Sequence, residues 1–186
     1  MSLLPFFQWC ENSGLIVAMR SSKGLFPAIE SIHLMGLALT GGAVLMLDLR
    51  LLGAAMRRIP VSEVAGRLRP WTLAGFLLMI GSGALLFYAN PSPRYQNIFF
   101  RTKMVMLVLA GVNAWVFHRT VYRSVADWDL DPVPPRRARV AGGLALVLWA
   151  ALIMSGRMIA YDWFNCGRQP QPAIVNVLAG CVTDSR

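Results

Sequence analysis

The sequence predicts an all-α integral membrane protein: a four-transmembrane-helix bundle with an N-terminal interfacial helix and an external C-terminal tail. Two observations support this fold class. The 186-residue chain is 56% hydrophobic and has a mean hydropathy of +0.52, which is too apolar for a soluble domain of this size. Most of its arginines stand in short segments between long apolar runs, a pattern typical of loops that connect membrane-spanning helices.

Four apolar runs reach the length of about 20 residues that a helix needs to cross the hydrocarbon layer. They cover residues 25–51, 71–89, 98–118 and 140–161. Pro27 lies near the beginning of the first run and Pro70 directly before the second. Because proline lacks a backbone N–H, it is tolerated best in the first turn of a helix, so both prolines are expected to mark helix starts. The bundle is predicted to cover residues 25–162, with an ordinary cytoplasmic turn at 127–135.

The distribution of arginine predicts how the bundle lies in the membrane. Five arginines fall around the junction of the first and second runs and five around that of the third and fourth, namely Arg50, Arg57, Arg58, Arg67 and Arg69, and Arg119, Arg123, Arg136, Arg137 and Arg139. The connection at residues 90–97 carries only Arg94. Since basic loops stay in the cytoplasm, we expect a multi-pass protein of the bacterial inner membrane with both termini in the periplasm. The net charge of +9 then reflects topology, and no nucleic-acid partner is expected.

Two segments flank the predicted bundle. Residues 1–24 include the stretch 3–19, where apolar residues are interrupted by polar ones, as is typical of a helix in the outer interface. Residues 163–186 form the predicted external tail, which contains Cys166 and Cys181. An oxidising compartment would allow these cysteines to form a disulfide, and unpaired thiols are the alternative.

Several polar side chains are predicted to share one level in the outer half of the membrane. Ionisable residues within membrane helices are costly and are therefore candidates for a functional site. With a rise of about 1.5 Å per residue, His33, Lys103 and Arg157 each lie about 10 Å to the outer side of their helix midpoints. Glu30, one turn outward from His33, and Tyr88, near the outer end of the second helix, can join them. Each predicted helix therefore contributes to one outer polar layer.

This outer layer has the residue types of a haem b site. The imidazole of His33 can be an axial ligand of haem iron, and Lys103 and Arg157 can neutralise haem propionates, while Glu30 adjusts the electrostatics. Gly36, one turn inward from His33, would leave room for a flat macrocycle, although glycine also serves close helix packing. We therefore predict electron transfer with a quinone or a partner redox subunit. The alternative is a structural network in which Glu30 neutralises Lys103 or Arg157.

The inner half of the predicted bundle holds a second histidine. His118 and Asp48 both lie about 13 Å to the inner side of their midpoints, so they can pair. His33 and His118 are then roughly 20 Å apart along the membrane normal, which is too far for two ligands of one haem. His118 is therefore the weaker candidate for a metal ligand. Copper is an alternative metal because the chain has ten methionines, although no Met-x-x-Met string gathers them.

Three strings resemble a known group of membrane proteins. FPAIESIHLMGLALTGGAVLMLDLRLLG, GRLRPWTLAGFLLMIGSGALL and RTKMVMLVLAGVNAWVFHR are similar to the CopD and HemJ superfamily of four-helix membrane proteins. The order and spacing are most similar to the HemJ type, protoporphyrinogen IX oxidases that work with haem b. The resemblance implies roles for His33, Lys103 and His118 at the matching positions. It leaves two further functions open: a HemJ-like oxidase, and a non-catalytic membrane subunit or copper transporter of CopD type. The strings IHLMGLAL and FHR are also similar to bacterial membrane proteins of unknown function.

Overall fold

The computed structural model describes residues 14–22, 24–161 and 163–181, which form helices joined by short loops. The helices are α1 (Gly14–Ser21), α2 (Leu25–Leu51), α3 (Val61–Ala89), α4 (Pro91–Tyr95), α5 (Ile98–Thr120), α6 (Arg136–Ile159) and α7 (Ala173–Ala179), with a 3₁₀ segment at Tyr122–Asp127. Four of them, α2, α3, α5 and α6, are long and apolar enough to span a membrane. The predicted all-α, four-helix membrane fold is confirmed.

Pro70 does not begin a helix, which corrects one predicted boundary. Helix α3 begins at Val61, so Pro70 lies inside it, more than two turns from its start. The turns before Pro70 stay helical because Val61 and Val64 are buried at the end of the bundle, which offsets the hydrogen bond that proline cannot make. The other three long helices begin or end within a few residues of their predicted limits.

The four long helices form two hairpins. Helix α2 packs mainly on α3 and α5 mainly on α6, while contacts between α2 and α6 join the two hairpins. In the first hairpin the backbones approach closely: a Cβ atom built at Gly36 would lie 2.9 Å from the carbonyl oxygen of Gly75. At Gly75 it would lie 2.5 Å from Oγ1 of Thr40. Small residues allow this approach, as they do in many membrane helix pairs.

Alanine at Gly75 is expected to destabilise the α2–α3 hairpin, because its methyl group would meet backbone atoms that cannot move aside. We expect the free energy of unfolding to fall by about 1–3 kcal/mol, as in other overpacked cores. Gly81→Ala is the matched control on the same helix, since a Cβ there has nothing within 4 Å. Detergent unfolding of the two variants measures the difference. Equal stabilities would contradict the close contact.

One end of the bundle is held together by a buried arginine. At this end, which we call the basic end, α2 connects to α3 and α5 connects to α6. Arg50 is 0% exposed, and its Nε donates to the carbonyl of Ile59 (2.8 Å). Its Nη2 donates to the carbonyls of Asp129 (3.2 Å) and Asp131 (3.1 Å). One guanidinium thus joins the loop before α3 to the loop before α6. We call these four residues the Arg50 cluster.

The stretch 127–135, expected to be an ordinary turn, also stabilises the first turn of α3. The carboxylate of Asp129 accepts a hydrogen bond from the backbone N–H of Ser62 (2.7 Å) and another from the Ser62 hydroxyl. Desolvation raises the pKa of Asp129, but these hydrogen bonds and the charge of Arg50 outweigh it and hold the pKa below its usual range. The carboxylate therefore stays ionised and caps the Ser62 N–H in the first turn of α3 from a distant part of the chain.

A hydrophobic cluster surrounds these polar contacts. It consists of buried side chains from both hairpins and the loop between α5 and α6, namely Leu51, Val61, Phe117, Val121, Trp128 and Ala138. The basic end therefore has a packed interior of its own.

At the opposite end, which we call the disulfide end, the C-terminal segment folds back on the bundle. Cys166 and Cys181 are joined by a disulfide. Asn97 and Asn165 form an isolated β-bridge, and Arg101 donates to the carbonyls of Tyr95 (2.9 Å) and Leu178 (2.8 Å). The part of the predicted tail that the structure describes is thus a folded cap.

The predicted N-terminal interfacial helix at residues 3–19 falls mostly outside the described residues. Its last part belongs to α1, which contacts α2 and α3. Ile16 of α1 is buried, whereas Val17 is 54% exposed. The described part of this segment therefore packs on the first hairpin with one apolar side chain.

Candidate functional site

His33 lies on α2 and faces α3, where Ser82 fixes the orientation of its ring. Ser82 Oγ donates to the backbone carbonyl of Leu78, so its lone pairs are free to accept. His33 Nδ1 lies 3.0 Å from that Oγ, and it is therefore the donor of this hydrogen bond. The proton assignment follows from this network. With Nδ1 as the donor, Nε2 carries the lone pair, and the Met79 backbone is a second hydrogen-bond partner of the imidazole.

The close contact within the first hairpin explains why His33 and Ser82 meet. Gly36, one turn inward from His33, lies against the backbone of Gly75 and Met79. Next to Ser82, a Cβ atom at Gly83 would lie 3.2 Å from Cε1 of His33, so glycine leaves space for the imidazole. Gly36 therefore serves close packing of α2 on α3, because α3 fills the space where a macrocycle was expected.

Lys103 is the second polar residue that the structure places inside the bundle. It lies on α5, is half-buried, and its Nζ atom is 3.6 Å from a Cβ position built at Gly156 on α6. Among the residues with described positions, no ion pair joins Glu30 to Lys103 or to Arg157. The alternative of a salt-bridged outer layer is therefore not formed in this structure.

The other members of the predicted outer layer lie on the surface. Arg157 is exposed, and its guanidinium carbon lies 5.6 Å from the ring centroid of Tyr161. Tyr88 is 50% exposed and makes an edge contact with Phe87. Glu30 is exposed as well. Of the five side chains, the structure thus directs His33 and Lys103 inward.

The predicted pair of Asp48 and His118 is wrong. Asp48 is 4% exposed and packs beside Gly142 of α6, and its Oδ2 has no hydrogen-bond partner in the described parts of the chain. His118 is exposed and stacks on Tyr122, with ring centroids 4.8 Å apart. Asp48 therefore lies inside the bundle and His118 on its surface. A role of His118 as a metal ligand inside the bundle has no geometric support.

Two residues with clear structural roles, Ser82 and Arg50, were not identified from the sequence. Ser82 stands in the string IGSG of the second apolar run, and its lone hydroxyl between glycines was a usable signal. Arg50 was read only as a marker of topology, and no sequence pattern indicates that it is buried. No group of three or more metal-ligating His, Cys, Asp or Glu side chains occurs within the described ranges.

Comparison with known proteins gives one family. A model described as a family of unknown function, DUF6644, matches residues 6–162. The chain belongs to this family. No curated protein and no solved structure matches the chain. The residues matched by the DUF6644 model include His33, Ser82 and Lys103, so the candidate site lies within the family region.

Proposed function

We propose that this protein binds haem b in the half of the membrane nearest the disulfide end and transfers electrons to or from a quinone or a partner redox subunit. The observation that carries the proposal is the 3.0 Å contact between His33 Nδ1 and Ser82 Oγ, which assigns Nδ1 as the donor and Nε2 as the nitrogen that would bind iron. Histidines that ligate a metal usually donate their other ring N–H in this way, which fixes the ring and raises its basicity.

Two side chains support a haem with one histidine ligand, while the space beside Gly36 is filled by α3 and is not available to it. The Nε2 atom of His33 could ligate the iron, and the Lys103 ammonium, which lies beside Gly156 at the α5–α6 interface, could hold a propionate. His118 lies on the outside near the basic end, so His33 is the one axial histidine in this proposal. When bound, the haem supplies one-electron transfer. The residues hold and orient it, and the apolar bundle excludes water.

The proposed orientation places the disulfide end in the periplasm of a bacterial inner membrane. The arginine-rich loops at the basic end support this, since such loops stay in the cytoplasm. The disulfide between Cys166 and Cys181 is a second support, because disulfides persist in oxidising compartments such as the periplasm.

An absorbance spectrum of the full chain tests the proposal. Protein purified from a host supplied with haem precursor is expected to show a Soret band and, after dithionite, α and β bands. A quinol analogue is expected to produce the same reduced bands. A purified protein without a Soret band would end the haem proposal. A bound haem that quinol leaves oxidised would end the proposal of electron exchange with quinone.

A further inference from the structure

A cleft at the basic end lies outside the site described so far. It is formed between α5 and α6 and has a volume of about 500 Å³. Its wall is mainly apolar, with Val116, Phe117 and Val140 among the lining side chains. Val140 is 60% exposed and Val116 is 42% exposed, so the cleft opens on the outer surface of the bundle. In a membrane, that surface faces lipid.

The mouth of the cleft is positively charged. Arg136 and Arg137, the first two residues of α6, line it, and both are exposed. The first turn of α6 contains no acidic residue, and neither arginine forms an ion pair with a residue that the structure describes. The amide of Asn113, deeper in the cleft, donates to the carbonyl of Ala141 (3.0 Å). No carboxylate is present in the lining to neutralise the two guanidinium groups.

We propose that this cleft binds an anionic phospholipid, with its phosphate between Arg136 and Arg137 and one acyl chain along the apolar wall. Charge complementarity selects the head group, since arginine binds phosphate with paired hydrogen bonds. The position of the cleft favours a lipid over a soluble anion. The two arginines begin a membrane-spanning helix, at the level where head groups lie. The apolar wall continues from there into the membrane-spanning part of the helix. A soluble anion would use the arginines but leave the apolar wall without an occupant.

Native mass spectrometry of the full chain tests this inference. Phosphatidylglycerol and phosphatidylcholine with the same acyl chains are added to the protein in detergent, and retained lipid is counted. We expect the wild type to retain phosphatidylglycerol in preference to phosphatidylcholine. Since each basic residue near an anionic lipid surface is worth about a fivefold change in affinity, Arg136→Gln with Arg137→Gln should weaken retention about 30-fold.

Two further variants make the test specific to the cleft. Arg58→Gln with Arg69→Gln removes the same charge from exposed positions at the same end and should leave retention unchanged. Val140→Trp keeps both arginines but fills the apolar wall, and it should also reduce retention. Equal retention of the two lipids by the wild type would overturn the inference. So would equal losses in the two arginine double variants, undiminished retention in Val140→Trp, or complete displacement of the lipid by inorganic phosphate.

Discussion

Alanine at position 33 is expected to abolish the haem absorbance of the purified protein, because it removes the only imidazole that faces the bundle interior within the described residues. Alanine at position 118 is the matched control. It removes the other histidine of the chain, which is exposed and stacks on Tyr122, and should leave the Soret band unchanged. The measurement is the haem content per chain, from the pyridine haemochrome of each preparation.

Removing the hydrogen bond from His33 to Ser82 should give an intermediate haem content. Ser82→Ala keeps the ligand but removes the acceptor that orients its ring. Loss of such a partner typically weakens metal binding by about 10- to 100-fold, so Ser82→Ala should retain less haem than the wild type and more than His33→Ala. Equal haem contents in the two histidine variants would contradict the assignment of His33 as the ligand.

Alanine at position 50 is expected to lower the free energy of unfolding by about 3 kcal/mol. It removes the guanidinium donor from three backbone carbonyls, of which, within the described residues, only that of Asp129 still accepts from another N–H, that of Val61. An unsatisfied buried polar group costs about 1–3 kcal/mol, partly offset because the guanidinium no longer has to be buried. Arg58→Ala, an exposed arginine at the same end, should change the stability by less than about 0.5 kcal/mol. Unfolding in detergent, followed by circular dichroism, compares the two.

Arg50→Lys separates the charge from the geometry of the Arg50 cluster. A lysine ammonium is a single point and cannot bond Ile59 on one side and the two aspartate carbonyls on the other as the guanidinium does. We therefore expect Arg50→Lys to lose most of the stability lost in Arg50→Ala. A lysine variant as stable as the wild type would show that the charge alone suffices.

The membrane helices could be predicted because length and hydropathy decide whether a segment crosses a bilayer. The start of α3, nine residues before Pro70, could not be predicted in this way. The turns before Pro70 are stabilised by the burial of Val61 and by the carboxylate of Asp129, which is distant in sequence. A contact of that kind leaves no periodic signal in either segment. For the same reason the sequence indicates only an ordinary turn at 127–135.

Residue counting along a helix predicts the depth of a side chain but not the direction in which it points. Counting residues from a helix midpoint gives the level of a side chain, and this placed His33 and Lys103 together. The direction in which a side chain points depends on which helices are neighbours, and the sequence did not show that α2 pairs with α3. Arg157 and Tyr88 therefore lie on the outer surface, although the same layer was expected to contain them.

The Arg50 cluster also constrains the order in which the chain can assemble. A growing chain that ends after α3 already contains the glycine contact between α2 and α3, and the Ile59 carbonyl that accepts from Arg50. The other two acceptors belong to Asp129 and Asp131, which are synthesised only after α5. Until then the guanidinium of Arg50 lacks two of its three partners. The basic end of the first hairpin is thus completed only once the chain that follows α5 has been made.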